Sequence, residues 1–203
     1  MSDSRLLTAS LFALGLAALG GWAISGASSP ALAAEDGPGP NLVIEVAGSA
    51  TGTIVIDLLP DVAPNHVEQI TALAAEGAYD GVVFHRVIDG FMAQTGDVAN
   101  GKQGADLSMA GMGGSGRPDL AAEFSSVPFD RGTIGMARSA APDSANSQFF
   151  IMFAPAPHLD GQYTVVGQVI QGMDVVDAIK KGEEADNGSV AKPDYMSKVT
   201  IQQ

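Results

Sequence analysis

The segment FHRVIDGFMAQTGD, residues 84–97, concentrates the side chains best suited to chemistry. It carries one guanidinium at Arg86, one amide at Gln94, and large apolar side chains at Phe91 and Met92. It offers no activated nucleophile and no cluster of metal ligands. Arginine stays protonated in proteins, so it donates hydrogen bonds and does not act as a base. The segment therefore predicts a site that binds an apolar group beside a hydrogen-bonded polar one, with chemistry that needs no proton transfer.

Composition narrows the classes of partner and cofactor. The chain of 203 residues has no cysteine, which excludes disulfides, thiol catalysis and zinc–thiolate sites. The three histidines, His66, His85 and His158, are far apart and lack ligand spacing, so neither a metal site nor a cofactor is expected. The formal charge of −13 repels phosphates, which argues against nucleic acid and anionic membrane surfaces as partners. A hydrophobic share of 46% predicts a sizeable core.

The N-terminus has the three-part pattern of a secretory signal peptide. A short start containing Arg5 is followed by an uncharged apolar run, residues 6–24, and by a small-residue tail that ends in Ala-Leu-Ala-Ala. We predict a signal peptide over residues 1–33, cleaved after Ala33, with Ala34 as the alternative cleavage position. The predicted location is then the periplasm or the medium. An uncleaved membrane anchor is the alternative, because the apolar run is nearly long enough to span a bilayer.

The rest of the chain alternates short apolar runs with Gly-rich and Pro-rich turns. We predict a linker and N-terminal extension over residues 34–50, followed by one domain over residues 51–203. Apolar residues at spacings of three and four predict helices at 65–76 and 173–181. Runs rich in β-branched residues predict strands at 53–59, 82–88, 91–95, 133–137, 148–153, 163–170 and 198–202. This pattern is typical of a closed antiparallel barrel or a sandwich.

Two long loops separate these elements. The loop at residues 98–116 is rich in glycine but lacks the Gly-Lys-Ser/Thr ending of a phosphate-binding loop. Loops of this length in a compact domain are usually functional or mobile. The polar segment at residues 183–195 is interpreted as a connector.

Three segments together form a recognisable signature: FHRVIDGFMAQTGD at 84–97, GTIGMARSAAPDSANSQFFI at 132–151 and HLDGQYTVVGQ at 158–168. In this order and spacing they resemble the signature of the cyclophilins, the peptidyl-prolyl cis-trans isomerases. The resemblance covers residues 51–203. It implies a mainly β fold, a closed eight-stranded antiparallel β-barrel capped by two α-helices, which agrees with the pattern of strands and helices. It also implies a monomer that acts on proline-containing unfolded or flexible polypeptides.

The resemblance assigns roles to individual residues. Arg86 matches the essential catalytic arginine of the family, and Gln94 matches the glutamine that orients this arginine and the bound peptide. The proline pocket is matched by Phe91, Met92, Phe150 and Leu159. The peptide groove and its neighbouring subsite are matched by Ala137, Gln148 and Gly111.

Three further substrate-binding positions depart from the best-known eukaryotic pattern. Arg138 stands where asparagine is usual, and its charge is expected to change the peptide preference. His158 stands where many members have a tryptophan that contributes much to cyclosporin binding, so the resemblance does not extend to sensitivity to this drug. Tyr163 stands where histidine is frequent, and it still offers an aromatic ring and a hydroxyl donor.

The sequence thus predicts an exported prolyl isomerase that assists protein folding in the periplasm. A proline-binding chaperone or scaffold with little turnover is the alternative. A hydrolase is disfavoured because no nucleophile–base pair is visible.

Overall fold

The computed structural model describes residues 35–203, and in this range one antiparallel sheet of nine strands is accompanied by two helices. The helices are α1 (Pro64–Ala75) and α2 (Met173–Ala178). The strands are β1 (Asn41–Ala47), β2 (Gly52–Leu58), β3 (Val82–Val83), β4 (Arg86–Ile88), β5 (Met92–Thr95), β6 (Thr133–Met136), β7 (Phe149–Met152), β8 (Val165–Gln171) and β9 (Tyr195–Gln202).

The sheet curls into a half-barrel, and the predicted closed eight-stranded barrel is not confirmed. The strand order is β3-β9-β1-β2-β8-β6-β7-β5-β4, so β3 and β4 form its two edges. The single strand predicted at residues 82–88 is two strands. Only Phe84 and His85 separate them, yet β3 pairs with β9 and β4 pairs with β5. Each edge also bonds to a loop: the N–H of Val83 donates to Gly101 and the N–H of Val87 donates to Gly188.

The first strand corrects the predicted boundary at residue 51. β1 lies between β2 and β9 and pairs with both, although its residues fall in the range assigned to a linker and N-terminal extension. Alternate side chains explain the placement, because Leu42, Ile44 and Val46 are at most 4% exposed. The sheet therefore begins at Asn41. The predicted signal peptide, residues 1–33, lies outside the described residues, and within the described part no helix has the length and apolarity needed to cross a membrane.

Helix α1 packs its apolar face on the sheet, with Val67, Ile70 and Leu73 buried in the main core. The residue before the helix, Ala63, provides no side-chain cap. Instead the carboxylate of Glu123 accepts hydrogen bonds from the first-turn N–H groups of residues 65 and 66, at 3.2 and 3.1 Å. An anion at this end satisfies unpaired donors and complements the helix dipole. The loop that carries Glu123 is thereby fixed to the start of α1.

Candidate active site

The candidate site is a row of side chains across four neighbouring strands. Arg86 on β4 is the register partner of Gln94 on β5. Gln94 is in turn opposite Phe150 on β7, and Phe150 is opposite Gly135 on β6. Residues directly opposite each other on antiparallel strands share one face of the sheet. The pairing therefore brings Arg86, Gln94 and Phe150 together, although they come from distant parts of the sequence.

Nine of the twelve predicted site residues surround one cavity of about 240 Å³. Met92, Phe150 and Leu159 are at most 8% exposed and form its apolar side, while Arg86 is half-buried. The nine lining residues are Arg86, Phe91, Met92, Gln94, Ala137, Arg138, Phe150, Leu159 and Tyr163. The cavity thus combines an apolar wall with a cation, as the sequence predicts for this site.

The apolar wall is held by close packing around Phe150. Its ring stacks on Phe129 with centroids 5.7 Å apart and meets Tyr163 edge-on at 5.9 Å. A Cβ atom at Gly135 would lie 2.4 Å from the Phe150 ring and 2.5 Å from the Phe129 ring. The absence of a side chain at Gly135 therefore lets both rings occupy their places.

The Arg86 guanidinium is fixed by hydrogen bonds from two sides. Its Nη1 donates to Oε1 of Gln94 at 3.3 Å. Its Nε donates to the carbonyl oxygen of Asn187 at 3.0 Å, and its Nη2 donates to Oδ1 of the same residue at 2.9 Å. These bonds set the plane of the guanidinium. Its charge has no carboxylate partner, because Arg86 takes part in none of the ion pairs among residues 35–203.

Asn187 is the site residue that the sequence analysis missed. It lies in the segment at residues 183–195 that was interpreted as a connector, and it adopts a left-handed backbone conformation with φ of 54°. The dipeptide Asn187-Gly188 is a turn signal that fits this conformation. Nothing in the local sequence indicates that the turn would meet a strand 101 residues earlier.

Gln94 is itself oriented by a chain of hydrogen bonds. Its Nε2 donates to Oε1 of Gln148 at 3.0 Å. Nε2 of Gln148 donates to the carbonyl oxygens of Gly111 and Gly113, at 3.0 and 2.6 Å. The N–H groups of these two glycines donate to the buried carboxylate of Asp97. The Gly-rich loop is therefore hydrogen-bonded to Gln148, which orients Gln94 and, through it, Arg86.

A second cavity of about 590 Å³ adjoins the first. Gln94, Ala137 and Arg138 line both cavities, so the two form one continuous groove. Gly111 and Gln148, two further predicted site residues, line only the second cavity. The twelfth, His158, lines neither; its ring stacks on Phe91 with centroids 5.8 Å apart.

Burial sets the electrostatics around the guanidinium. Burial lowers the pKa of Arg86, and the interaction with Tyr163 acts in the opposite direction. Burial also lowers the pKa of the neighbouring His85, against the effect of Asp97, and both ring nitrogens of His85 lack a partner within the described residues. The lowered pKa leaves the His85 imidazole neutral at neutral pH, while Arg86 remains a cation.

Replacing Asn187 by glycine is expected to reduce kcat/KM for a proline-containing peptide by roughly threefold to tenfold. Glycine accepts the left-handed conformation and keeps the carbonyl that binds Nε, so only the bond from Nη2 to Oδ1 is lost. The guanidinium then becomes less restrained, and kcat should fall more than KM rises. Steady-state kinetics of the parent and of Asn187→Gly measures this effect, and thermal unfolding of both proteins shows whether the fold is retained. An unchanged kcat would show that the side chain of Asn187 does not position Arg86.

Comparisons with known proteins agree with this geometry. Residues 42–201 match the family model described as "Cyclophilin type peptidyl-prolyl cis-trans isomerase/CLD". A probable peptidyl-prolyl cis-trans isomerase of Brucella suis is 62% identical over 153 residues, covering 74% of this chain and 78% of the relative. A peptidyl-prolyl cis-trans isomerase of Arabidopsis thaliana is 36% identical over 151 residues, covering 74% of this chain and 90% of that relative.

Solved structures show the same fold. The chain is similar to a cyclophilin of Hirschia baltica with a TM-score of 0.65 and 25% identity, over 79% of this chain and 73% of the other. It is also similar to a cyclophilin of Cryptosporidium parvum with a TM-score of 0.68 and 23% identity, over 80% of this chain and 99% of the other. With a half-barrel, two helices and a family match over most of its length, the chain belongs to the cyclophilin-type peptidyl-prolyl cis-trans isomerases.

Proposed function

We propose that this isomerase acts through Arg86 on Xaa-Pro bonds of exported proteins as they fold in the periplasm. The observation that carries the mechanism is the position of the guanidinium, which lies beside an apolar cavity and is held by Gln94 and Asn187. The activity itself follows from the family. The role of each residue and the compartment are the parts proposed.

The reaction needs stabilisation of a twisted peptide bond. Rotation about C–N is resisted by a barrier of about 18–20 kcal/mol, because the nitrogen lone pair is delocalised into the carbonyl. In the twisted state this lone pair localises on the proline nitrogen and can accept a hydrogen bond. A guanidinium donor at that nitrogen binds the transition state more tightly than either isomer, which is the condition for catalysis.

The cavity supplies the rest of the mechanism. Phe91, Met92 and Phe150 exclude water around the proline ring, which strengthens the field of the charge. Gln94 holds the guanidinium and offers its amide to the peptide on one side of the bond, while the other side rotates. Roughly five decades of acceleration correspond to about 7 kcal/mol of differential stabilisation, which a charged hydrogen bond in a dry site together with peptide restraint can supply.

An isomerisation assay on a short peptide with an Ala-Pro bond measures turnover and so separates an enzyme from the alternative. Fast exchange in the presence of catalytic amounts of the chain supports the enzyme. Binding of the peptide with little turnover would instead support a proline-binding chaperone or scaffold.

The proposed compartment is supported by the N-terminal pattern over residues 1–33 and by the lack of cysteine. N-terminal sequencing of the chain purified from a periplasmic fraction tests it. A start at Ala34, or one residue later, supports export with cleavage; a start at Met1 or Ser2 in the membrane fraction supports the anchor. We also propose that the chain is a monomer. Sedimentation tests this by measuring the mass of the protein in solution.

A further inference from the structure

We propose that Arg138 makes this enzyme selective for prolines that have an acidic residue one or two positions away. The inference deepens the proposed function, because it names the class of substrate that the same groove prefers. Arg138 lies on the divide between the two cavities and lines both of them. A peptide with its proline in the smaller cavity must pass this side chain. Since an extended chain advances about 3.3–3.6 Å per residue, only the nearest neighbours of the proline can meet it.

The Arg138 guanidinium is held in place without being neutralised. Its Nη1 donates to the carbonyl oxygen of Ser139 at 2.9 Å, and its Nη2 donates to that of Gln162 at 3.0 Å. Its Cζ also lies over the ring of Tyr163, 4.3 Å from the centroid. Carbonyl dipoles and an aromatic face fix the position of a cation but leave its net charge in place. A carboxylate that binds here meets a donor group already held in place, which lowers the entropic cost of pairing.

The larger cavity is lined by two other charged side chains, Arg117 and Asp119, of which only the cation is ion-paired. Arg117 pairs with Glu76 at 2.5 Å. Asp119 accepts a hydrogen bond from Nδ2 of Asn146 at 2.8 Å. Arg138 takes part in none of the ion pairs among residues 35–203. Arg138 is therefore the cation of the larger cavity that has no carboxylate partner, and since Asp119 keeps its negative charge there, an acidic residue is best accommodated on the side of the smaller cavity.

The smaller cavity favours an acidic residue of the peptide more strongly. Its lining contains two cations, Arg86 and Arg138, and no carboxylate. This positive groove lies in a chain whose formal charge is −13. Long-range repulsion of an acidic peptide is screened beyond about 8 Å at physiological ionic strength, so the local arginines decide the preference once the peptide is in the groove. Peptides with lysine near the proline meet two like charges instead.

Matched peptides test the proposal. In a series that differs only at the residues flanking one proline, the full chain should show kcat/KM roughly tenfold higher for glutamate than for lysine at the favoured position. Arg138→Gln should lower this ratio severalfold, mainly by slowing the glutamate peptide, with Arg86 accounting for the preference that remains, while Arg138→Lys should keep more of the ratio. Raising the salt concentration to about 0.5 M should also reduce the ratio, because the attraction is screened.

Arg131→Gln is the matched control. It removes the same charge from the chain, but Arg131 pairs with Asp177 and lines neither cavity, so the glutamate-to-lysine ratio should stay as in the parent. An equal glutamate-to-lysine ratio in the parent and in Arg138→Gln would overturn the inference. Loss of the ratio in Arg131→Gln as well would also overturn it, since net charge would then be the cause. Failure of the parent on the alanine peptide would contradict the proposed function instead.

Discussion

Replacing Arg86 by alanine is expected to lower kcat/KM for an Ala-Pro peptide by roughly 10²–10³-fold, the usual loss when a donor to the developing charge is removed. The cavity keeps its apolar wall, so the peptide still binds and most of the loss should fall on kcat. The guanidinium is half-buried and carries no ion pair among the described residues, so the fold should be retained. Exchange measured by magnetisation transfer between the cis and trans signals of the peptide gives the rate directly.

Lysine at the same position separates charge from geometry. Arg86→Lys keeps the cation but cannot reach Gln94 and both acceptors of Asn187 together, so we expect activity well below that of the parent. Arg131→Ala serves as the control for a remote arginine and should retain the parent rate. A rate within twofold of the parent for Arg86→Ala, with the fold intact, would show that the twisted bond is stabilised by other groups.

The sequence alone predicts those contacts of the site whose residues lie close together in the chain, and it misses those whose residues lie far apart. Arg86 and Gln94 lie on one short hairpin, so their proximity follows from two strands that fold back on each other. Phe150 belongs to a neighbouring strand that the motif also identifies. Asn187 differs, because its role requires a turn from far along the chain to meet β4. A turn signal specifies backbone conformation but not the surface on which the turn packs.

The same distinction explains the errors in the fold. β1 has the alternation of a half-buried strand and is as long as β2, but it directly follows a Gly-Pro run, which favours a linker and N-terminal extension at this point of the sequence. β1 pairs with the consecutive strand β2, but its pairing with β9 joins distant parts of the chain, which no local pattern indicates. The segment at residues 82–88 has β-branched or aromatic residues on both sides of His85 and Arg86, a pattern that predicts one strand. The segment is divided because its first half, β3, pairs with β9 and its second half, β4, pairs with β5. This division leaves the sheet open as a half-barrel.

Replacing Asp97 by asparagine is expected to destabilise the fold by about 2–4 kcal/mol, because a buried acceptor becomes a donor that faces other donors. Asp97 is fully buried. One carboxylate oxygen accepts the N–H groups of Ala99 and Asn100, at 3.1 and 2.9 Å. The other accepts those of Gly111 and Gly113, at 2.8 and 2.9 Å. In either orientation, the amide group of asparagine would direct its NH₂ at one of these pairs, so the loop at residues 98–113 should loosen.

Urea unfolding measures the loss of stability, and hydrogen exchange at residues 98–113 shows whether it arises in the loop. Asp106→Asn is the matched control, since Asp106 lies in the same loop and accepts one exposed backbone N–H, from Ser108; its unfolding midpoint should equal that of the parent. Because Gly111 and Gly113 also accept from Gln148, a loosened loop should disturb Gln94 and raise KM. Full activity in a destabilised Asp97→Asn protein would mean that the groove keeps its shape without the loop, and the hydrogen-bond chain from Asp97 to Arg86 would then have no part in catalysis.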